Sequence, residues 1–374
     1  MTSFAALGIP AAVDRSLHAR RISTPFPIQV AAIPPALAGR DVCGKAPTGS
    51  GKTIAFGIPL VTRCSVAEPG APTGLVLLPT RELAEQVAEE LRLLADPIGL
   101  IVDSFYGGTS AQRQIDALAA GVDIAVGCPG RLRDLIDRGV LRLSEVQLAV
   151  VDEADRLADM GFLPEVLALL DETPEGRQTL LFSATLDAEV AQLTQRYQSD
   201  PAMVSTTQGV GEESILDIEH FWWSVPRKAR LDTTAAILRR FSTAIVFCRT
   251  RHGADRVSEQ LQQRGISTAV LHGDRTQKDR EAAMTAFRDG EVQALVATDV
   301  ASRGLHIAGV DAVVQFDTPA DEKDYIHRAG RTARAGSSGK VINLIIPEAE
   351  AKATELQRLL HHPQILEPAQ LGAL

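Results

Sequence analysis

Short apolar runs recur along this chain and break off into polar or glycine-bearing segments. Residues 75–78 run into Pro79-Thr80-Arg81-Glu82, 124–126 into Gly127-Cys128-Pro129-Gly130-Arg131, 148–151 into Asp152-Glu153, and 180–182 into Ser183-Ala184-Thr185. Unbroken apolar runs of this length, without polar alternation, predict strands buried on both faces of a parallel sheet. Between them apolar positions fall at helical spacing. Leu83, Val87, Leu91 and Leu94 share one face of a helix that starts after Thr80. The pattern restarts at 244–247, 269–271, 294–297, 312–314 and 341–346. The fold class expected is therefore α/β, with two parallel-sheet domains in tandem. Their bounds are read as 1–204 and 217–356, around a polar, glycine-containing linker at 205–216 and before a short tail at 357–374. In such sheets ligands sit beyond the carboxyl ends of the strands, where these polar motifs fall. Phe221, Trp222 and Trp223 read as core aromatics of the second domain's first strand, in preference to a base-stacking platform.

Composition narrows the class. With 374 residues, 45% hydrophobic and 23% charged, the chain is an ordinary globular one. No apolar run approaches the roughly 18 residues that span a bilayer, and the first residues lack a basic segment followed by an apolar one. No membrane segment and a cytoplasmic location are expected. Cys43, Cys64, Cys128 and Cys248 are too scattered for a zinc or redox motif, and reduced thiols are the simplest reading. The net charge of −9 excludes a broad nucleic-acid-coating surface. Residues 1–205 carry 17 Lys and Arg against 25 Asp and Glu, and 206–374 carry 21 against 22. Any nucleic-acid contact is expected in a local groove, fed more by the second half.

Two motifs carry the chemistry. Ala46-Pro47-Thr48-Gly49-Ser50-Gly51-Lys52-Thr53 reads as a phosphate-binding loop, where small residues let backbone N–H groups reach phosphates at a helix start. Lys52 is expected to neutralise the β- and γ-phosphates of a nucleoside triphosphate, and Thr53 to supply an oxygen for Mg2+. At the end of a strand, Asp152 is expected to hold the magnesium, largely through water. Its neighbour Glu153 is expected to orient and deprotonate the attacking water. Hydrolysis also needs positive charge on the γ-phosphate. Arg331 and Arg334, three residues apart on one helical face, fit as arginine fingers if the second domain faces the first.

In sequence order these motifs, with Asp152-Glu153-Ala154-Asp155 at their centre, resemble those of the DEAD-box ATP-dependent RNA helicases of superfamily 2, from Phe4 to about Pro347. The resemblance implies two RecA-like domains joined by a flexible linker, with ATP and RNA bound across the cleft between them. It implies that Gln29 of Pro25-Phe26-Pro27-Ile28-Gln29 reads adenine and that Phe4 packs on its ring. First-domain RNA contacts are implied at Pro79, Thr80, Arg81, Gly107, Gly108, Pro129, Gly130 and Arg131. In the second domain Arg249, Gly273, Gln277, Arg280, Thr298 and Asp299 fall at RNA-contact or coupling positions. Gly304 lies near the nucleotide, and His327 joins the γ-phosphate network. Asp155, Ser183, Ala184 and Thr185 link hydrolysis to unwinding. Binding through the RNA backbone implies little sequence preference.

Three positions depart from the family pattern. Phe26 stands for the usual Thr, with Arg21 for the usual Gly ahead of it. Cys128 stands for Thr, which removes a hydroxyl contact of about 0.5–1.5 kcal/mol. His306 stands for an Asp expected on the ATP ribose, so that ATP affinity or its pH dependence can differ. The leading expectation is a monomeric RNA-stimulated ATPase that locally separates short duplexes, with weak intrinsic RNA affinity and a protein partner for targeting. The alternative, motivated by His306 and Cys128, is an ATP-gated RNA clamp with feeble unwinding. A DNA helicase is disfavoured by the motif wording.

Overall fold

The computed structural model describes residues 2–46, 49–206, 218–299, 309–332, 339–360 and 364–374. The chain forms two compact units, Met1–Gly211 and Glu212–Leu374.

The first unit is built on a sheet of seven parallel strands: β1 (Val42–Lys45), β2 (Gly74–Leu77), β3 (Val102–Phe105), β4 (Ile124–Gly127), β5 (Leu148–Val151), β6 (Gln178–Ser183) and β7 (Ala202–Ser205). Their spatial order is β3-β4-β2-β5-β6-β1-β7. Successive residues of each strand feed opposite faces. Val76, Val126, Val150 and Leu180 join one core, and Leu75, Leu77, Ala149 and Val151 the other. That two-sided burial is why the strands read as unbroken apolar runs. Helices α1 (Ala11–Ala19), α2 (Pro27–Leu37), α3 (Lys52–Arg63) and α4 (Arg81–Ala95) supply the first core. The second is supplied by α5 (Ala111–Ala120), α6 (Pro129–Asp137), α7 (Ala154–Asp159), α8 (Leu163–Asp171) and α9 (Ala188–Tyr197).

The second unit repeats the plan with β8 (Ile218–Ser224), β9 (Ala244–Phe247), β10 (Thr268–Leu271), β11 (Ala294–Ala297), β12 (Ala312–Gln315), β13 (Gly339–Ile345) and β14 (Glu367–Pro368). All pairings are parallel, in the order β10-β11-β9-β12-β13-β8-β14. Trp222 and Trp223 are each 2% exposed, and Trp222 stacks on Tyr325 with ring centroids 5.4 Å apart. They are core residues, as their place on a strand required.

Two boundary expectations are revised. Ser205, assigned to the linker, is the last residue of β7 and pairs with Lys45; residues 207–217 lie outside those described. The segment expected as a tail from 357 onwards is in part structural. Gln357 is buried in a helix, Glu367 and Pro368 pair with β8, and Leu371 and Leu374 pack on the core. An edge strand with open hydrogen-bonding groups is a surface that a short extended segment can cover.

Candidate functional site

The phosphate loop is the connection between β1 and α3. Gly49 and Gly51 take φ of 84° and 88°, a region that glycine enters without strain. Gly51 caps α3, and a Cβ there would lie 2.5 Å from Gln29 Nε2 and 2.6 Å from Phe26 Cδ2. The first backbone N–H groups of α3 have no partner within the helix, which makes its start an anion site. Lys52 is 6% exposed and its Nζ donates to the Ala46 carbonyl at 2.8 Å. Thr53 is half-buried beside it, and Ser50 precedes Gly51 in the same turn. Pro47 and Thr48 lie outside the described residues.

At the end of β5, Asp152 and Glu153 are buried. Asp152 Oδ1 accepts the Glu153 N–H at 2.9 Å. Burial pushes the Asp152 carboxyl up to about 6; Lys52 opposes the rise, and Glu153 and Asp155 add to it. Glu153 has φ 51° and ψ 48°, a left-handed conformation that costs a non-glycine residue about 1–2 kcal/mol. Its carboxylate pairs with Arg156, one helical turn on, in a nearly dry setting with side chains 5% and 2% exposed. Arg156 Nε and Nη2 find no partner among the described residues. Sequence reasoning missed Arg156, although its three-residue spacing from Glu153 was the available signal.

The oxygen donors of Thr53 and Asp152 suit Mg2+, a hard cation that usually keeps several waters and is held partly by substrate phosphates. Among the described residues no group of three or more His, Cys, Asp or Glu side chains could hold a metal. Thr53 and Asp152 thus fit a magnesium ion that takes its remaining ligands from water and phosphate oxygens.

Sheet order puts β6 between β5 and β1, and its end ties the two motifs together. The Ser183 carbonyl accepts the Ala46 N–H at 2.9 Å. Ser183 Oγ accepts the Asp155 N–H at 3.1 Å, and Asp155 Oδ2 accepts the Thr185 N–H at 3.0 Å and its hydroxyl at 3.2 Å. Asp155 is thus bonded to the residues on both sides of Ala184.

Gln29 and Phe26 close the other flank. Gln29 is 1% exposed; its Oε1 accepts the Phe26 N–H at 2.8 Å and its Nε2 donates to the Gly51 carbonyl at 3.0 Å. A primary amide keeps a second N–H and a second lone pair for a base edge. Phe4 is 0% exposed within the first core, so its ring has no open face for adenine in this conformation. The short helix after it folds that aromatic inward. The open aromatic at the loop is Phe26, 55% exposed.

The positions expected to touch RNA in the first unit lie at the ends of β2, β3 and β4. Thr80 follows Pro79 and caps α4, its Oγ1 accepting the Leu83 N–H at 3.4 Å. A side chain at Gly108 would collide with the Arg81 guanidinium, and one at Gly107 would touch it. Arg131 has a supporting task. Its Nη1 donates to Gln114 Oε1 at 2.8 Å, and Gln114 Nε2 donates to the Tyr106 carbonyl at 3.1 Å. Arg131 thereby steadies the turn bearing Gly107 and Gly108. Pro129 and Gly130 open α6, and the thiol of Cys128 makes no cap bond.

In the second unit Arg249 is exposed at the end of β9, with its N–H donating to Asp317 Oδ2 at 2.9 Å. Gly273 lies 3.7 Å, measured from a Cβ built on it, from the Arg251 guanidinium. Arg280 is half-buried on the helix Gln277–Arg288. Thr298 is buried. Both carboxylate oxygens of Asp299 take Arg328, at 2.6 and 2.7 Å, and Arg328 Nη1 also reaches Gln315 Oε1 at 2.9 Å. Asp299 is therefore an anchor between segments, which suits a coupling position better than a phosphate contact. His327 is half-buried and Arg331 is 4% exposed. Gly304, His306 and Arg334 lie outside the described residues.

Comparison with known proteins agrees with this layout. The family model described as DEAD/DEAH box helicase matches residues 26–193, and that of the helicase conserved C-terminal domain matches 229–336. The chain is 41% identical over 384 residues to DEAD-box ATP-dependent RNA helicase 5 of Oryza sativa subsp. japonica, covering 99% of this chain and 74% of that one. It is 39% identical over 360 residues to DEAD-box ATP-dependent RNA helicase CshA of Bacillus cereus, covering 96% and 68%. The structure of S. cerevisiae Dbp5 bound to RNA and ADP BeF3 superposes with a TM-score of 0.87 at 26% identity, covering 98% of this chain and 95% of that one. The two α/β units are RecA-like domains in tandem, and the chain belongs to the DEAD/DEAH box helicase family.

Proposed function

We propose that this protein is an RNA-stimulated ATPase that separates short RNA duplexes locally by closing its two domains. One observation carries the reading: Ala46 at the start of the phosphate loop, Ser183 at the end of β6, and Asp155 and Thr185 form one hydrogen-bonded set, and Asp155 follows directly on Asp152-Glu153 at the end of β5. Similarity to named ATP-dependent RNA helicases, and to a Dbp5 structure bound to RNA and ADP BeF3, supports it.

In this reading Lys52 exchanges the Ala46 carbonyl for the β- and γ-phosphates. Mg2+, held by Thr53 and Asp152 largely through water, would neutralise phosphate charge. Glu153 turns its carboxylate from Arg156 to orient the attacking water and take its proton. Arg331 and Arg334 of the second domain supply positive charge to the γ-phosphate, with His327 in the same network and Gly304 and His306 near the nucleotide. Gln29 reads adenine. RNA lies along Pro79, Thr80, Arg81, Gly107, Gly108, Pro129 and Gly130 of the first domain and Arg249, Gly273, Arg280 and Thr298 of the second. The Asp155, Ser183 and Thr185 bonds sense closure. The domain limits proposed are 1–206 and 218–374. Given the net charge of −9, a protein partner recruits the enzyme to its RNA in the cytoplasm.

The test is steady-state ATP hydrolysis with and without single-stranded and duplex RNA, against matched DNA. RNA stimulation that is lost in Glu153→Gln is expected. A rate unchanged by saturating RNA and undiminished in Glu153→Gln would sink the reading. Little stimulation in the wild type, restored by His306→Asp, would favour the ATP-gated clamp.

A further inference from the structure

Phe26 is an aromatic residue in a place where aromatics are poor choices. It is the N-cap of α2 and its side chain makes no cap bond, whereas Ser, Thr, Asp or Asn there would accept a backbone N–H. Over half of its ring is open, at 55% exposure. The residue thus gives up a capping bond and leaves apolar surface in water. Its backbone is nevertheless tied to the phosphate loop through Gln29. The Phe26 N–H donates to Gln29 Oε1 at 2.8 Å, and Gln29 Nε2 is bonded to the Gly51 carbonyl at 3.0 Å. One ring edge lies so close to Gly51 that a Cβ there would be 2.6 Å from Cδ2. Gly51 begins the helix whose N-terminus would take the phosphates.

From this juxtaposition of an open ring, a phosphate-binding glycine and the amide of Gln29, we infer that Phe26 is a base-stacking residue of the nucleotide site. The inference rests on the proposed ATP-binding function. The ring offers a flat apolar face next to the phosphate end of the site, where the base of a bound nucleoside triphosphate lies within reach. A ring face stacks any base, so Phe26 contributes affinity while Gln29 contributes the choice of base. A ring left 55% exposed, with no aromatic stacked on it among the described residues, is covered when nucleotide binds.

The substitution Phe26→Thr separates the two consequences because their signs are opposite. It restores a capping hydroxyl, so the melting temperature of the nucleotide-free protein is expected to rise by about 2–3 °C. It removes the stacking face, so ATP is expected to bind about tenfold more weakly. Phe26→Trp keeps a face and is expected to hold ATP within about twofold of wild type. The measurement is equilibrium titration of each protein with ATP and with inorganic tripolyphosphate. Tripolyphosphate has no base, so its affinity is expected to be the same in all three proteins. Equal ATP affinity in Phe26→Thr and wild type would overturn the inference, as would an equal loss of ATP and tripolyphosphate affinity. A wild type that binds ATP with the stacking signature yet shows no RNA-stimulated turnover would instead count against the proposed function alone.

Discussion

Glu153 is held in a left-handed conformation at the start of the six-residue helix α7, and its carboxylate meets Arg156 on the next turn. Both side chains are almost out of water, so neither charge is easily left alone. Removing one partner of such a pair costs about 3–5 kcal/mol. Arg156→Met is therefore expected to lower stability by about that amount and to slow turnover. Arg156→Lys, which keeps the charge, recovers most of the stability. If Arg156 acts through Glu153, the effect of Arg156→Met on turnover disappears in the Glu153→Gln background, while the two effects would multiply if it acts elsewhere. The cycle of single and double variants, assayed for RNA-stimulated hydrolysis, decides between them. The cysteines make a second residue-scale case. Burial pushes the thiols of Cys64 and Cys128 from 9.0 up to about 12. A raised thiol pKa keeps the unreactive protonated form dominant at neutral pH and above. Iodoacetamide is expected to leave the buried Cys64 intact in the native protein and to label it in urea. Fast native labelling of Cys64 would contradict its burial. Cys128, half-buried, was legible in the sequence only as a missing hydroxyl.

Among the elements, α4 and the edge strand β3 are joined by one carboxylate. Glu85 accepts the Ser104 hydroxyl at 2.5 Å, the Tyr106 hydroxyl at 3.1 Å and Arg92 Nη1 at 3.0 Å. Partial burial pushes its pKa up, but the bonds from Ser104, Arg92 and Tyr106 outweigh that and leave it below its ordinary value. A carboxyl depressed in the folded state stabilises the fold above its unfolded pKa of about 4.3. The contribution is lost as pH falls through the lower folded value. Glu85→Gln is thus expected to melt below wild type at neutral pH, with the gap closing in acid. Thermal melts across that range check it, and a gap independent of pH would refute it. The same strand shows where sequence reading stops. The runs at 148–151, 244–247 and 294–297 coincide with β5, β9 and β11 because both faces of each are buried. By contrast β3, Val102–Phe105, carries Asp103 and Ser104, whose polar atoms are satisfied by α4 and by their own backbone, so no apolar run announces it. The β14 pairing, of only two residues, has no local signature either. In the candidate site, the hydrogen-bonded Ser183 and Asp155 lie in segments that the motifs single out. Side chains defined by long-range packing, the inward Phe4 and the Asp299–Arg328 pair, needed the fold.

At the scale of the whole molecule, the two units share a plan but not a charge. The surplus of acidic residues lies in the first half, and the net charge is −9. Long-range attraction therefore does little to gather a polyanion, and under the proposed function affinity for RNA is expected to rest on a few local groups such as the exposed Arg249. Each phosphate neutralised releases condensed counterion, and for single strands the log–log slope with salt is about −0.7 per contact. With roughly four such contacts, raising monovalent salt from about 50 to 200 mM weakens RNA binding by more than about tenfold. Basal hydrolysis without RNA is expected to change little over the same range, because the residues of its site are buried: Lys52, Asp152 and Glu153 are 6%, 3% and 4% exposed. The ratio of stimulated to basal rate at fixed, subsaturating RNA is therefore the quantity to follow. A steep fall in that ratio at constant basal rate places RNA contact in a small cationic groove. A ratio flat in salt would mean that RNA is held mainly by non-ionic contacts, contrary to a backbone-directed site.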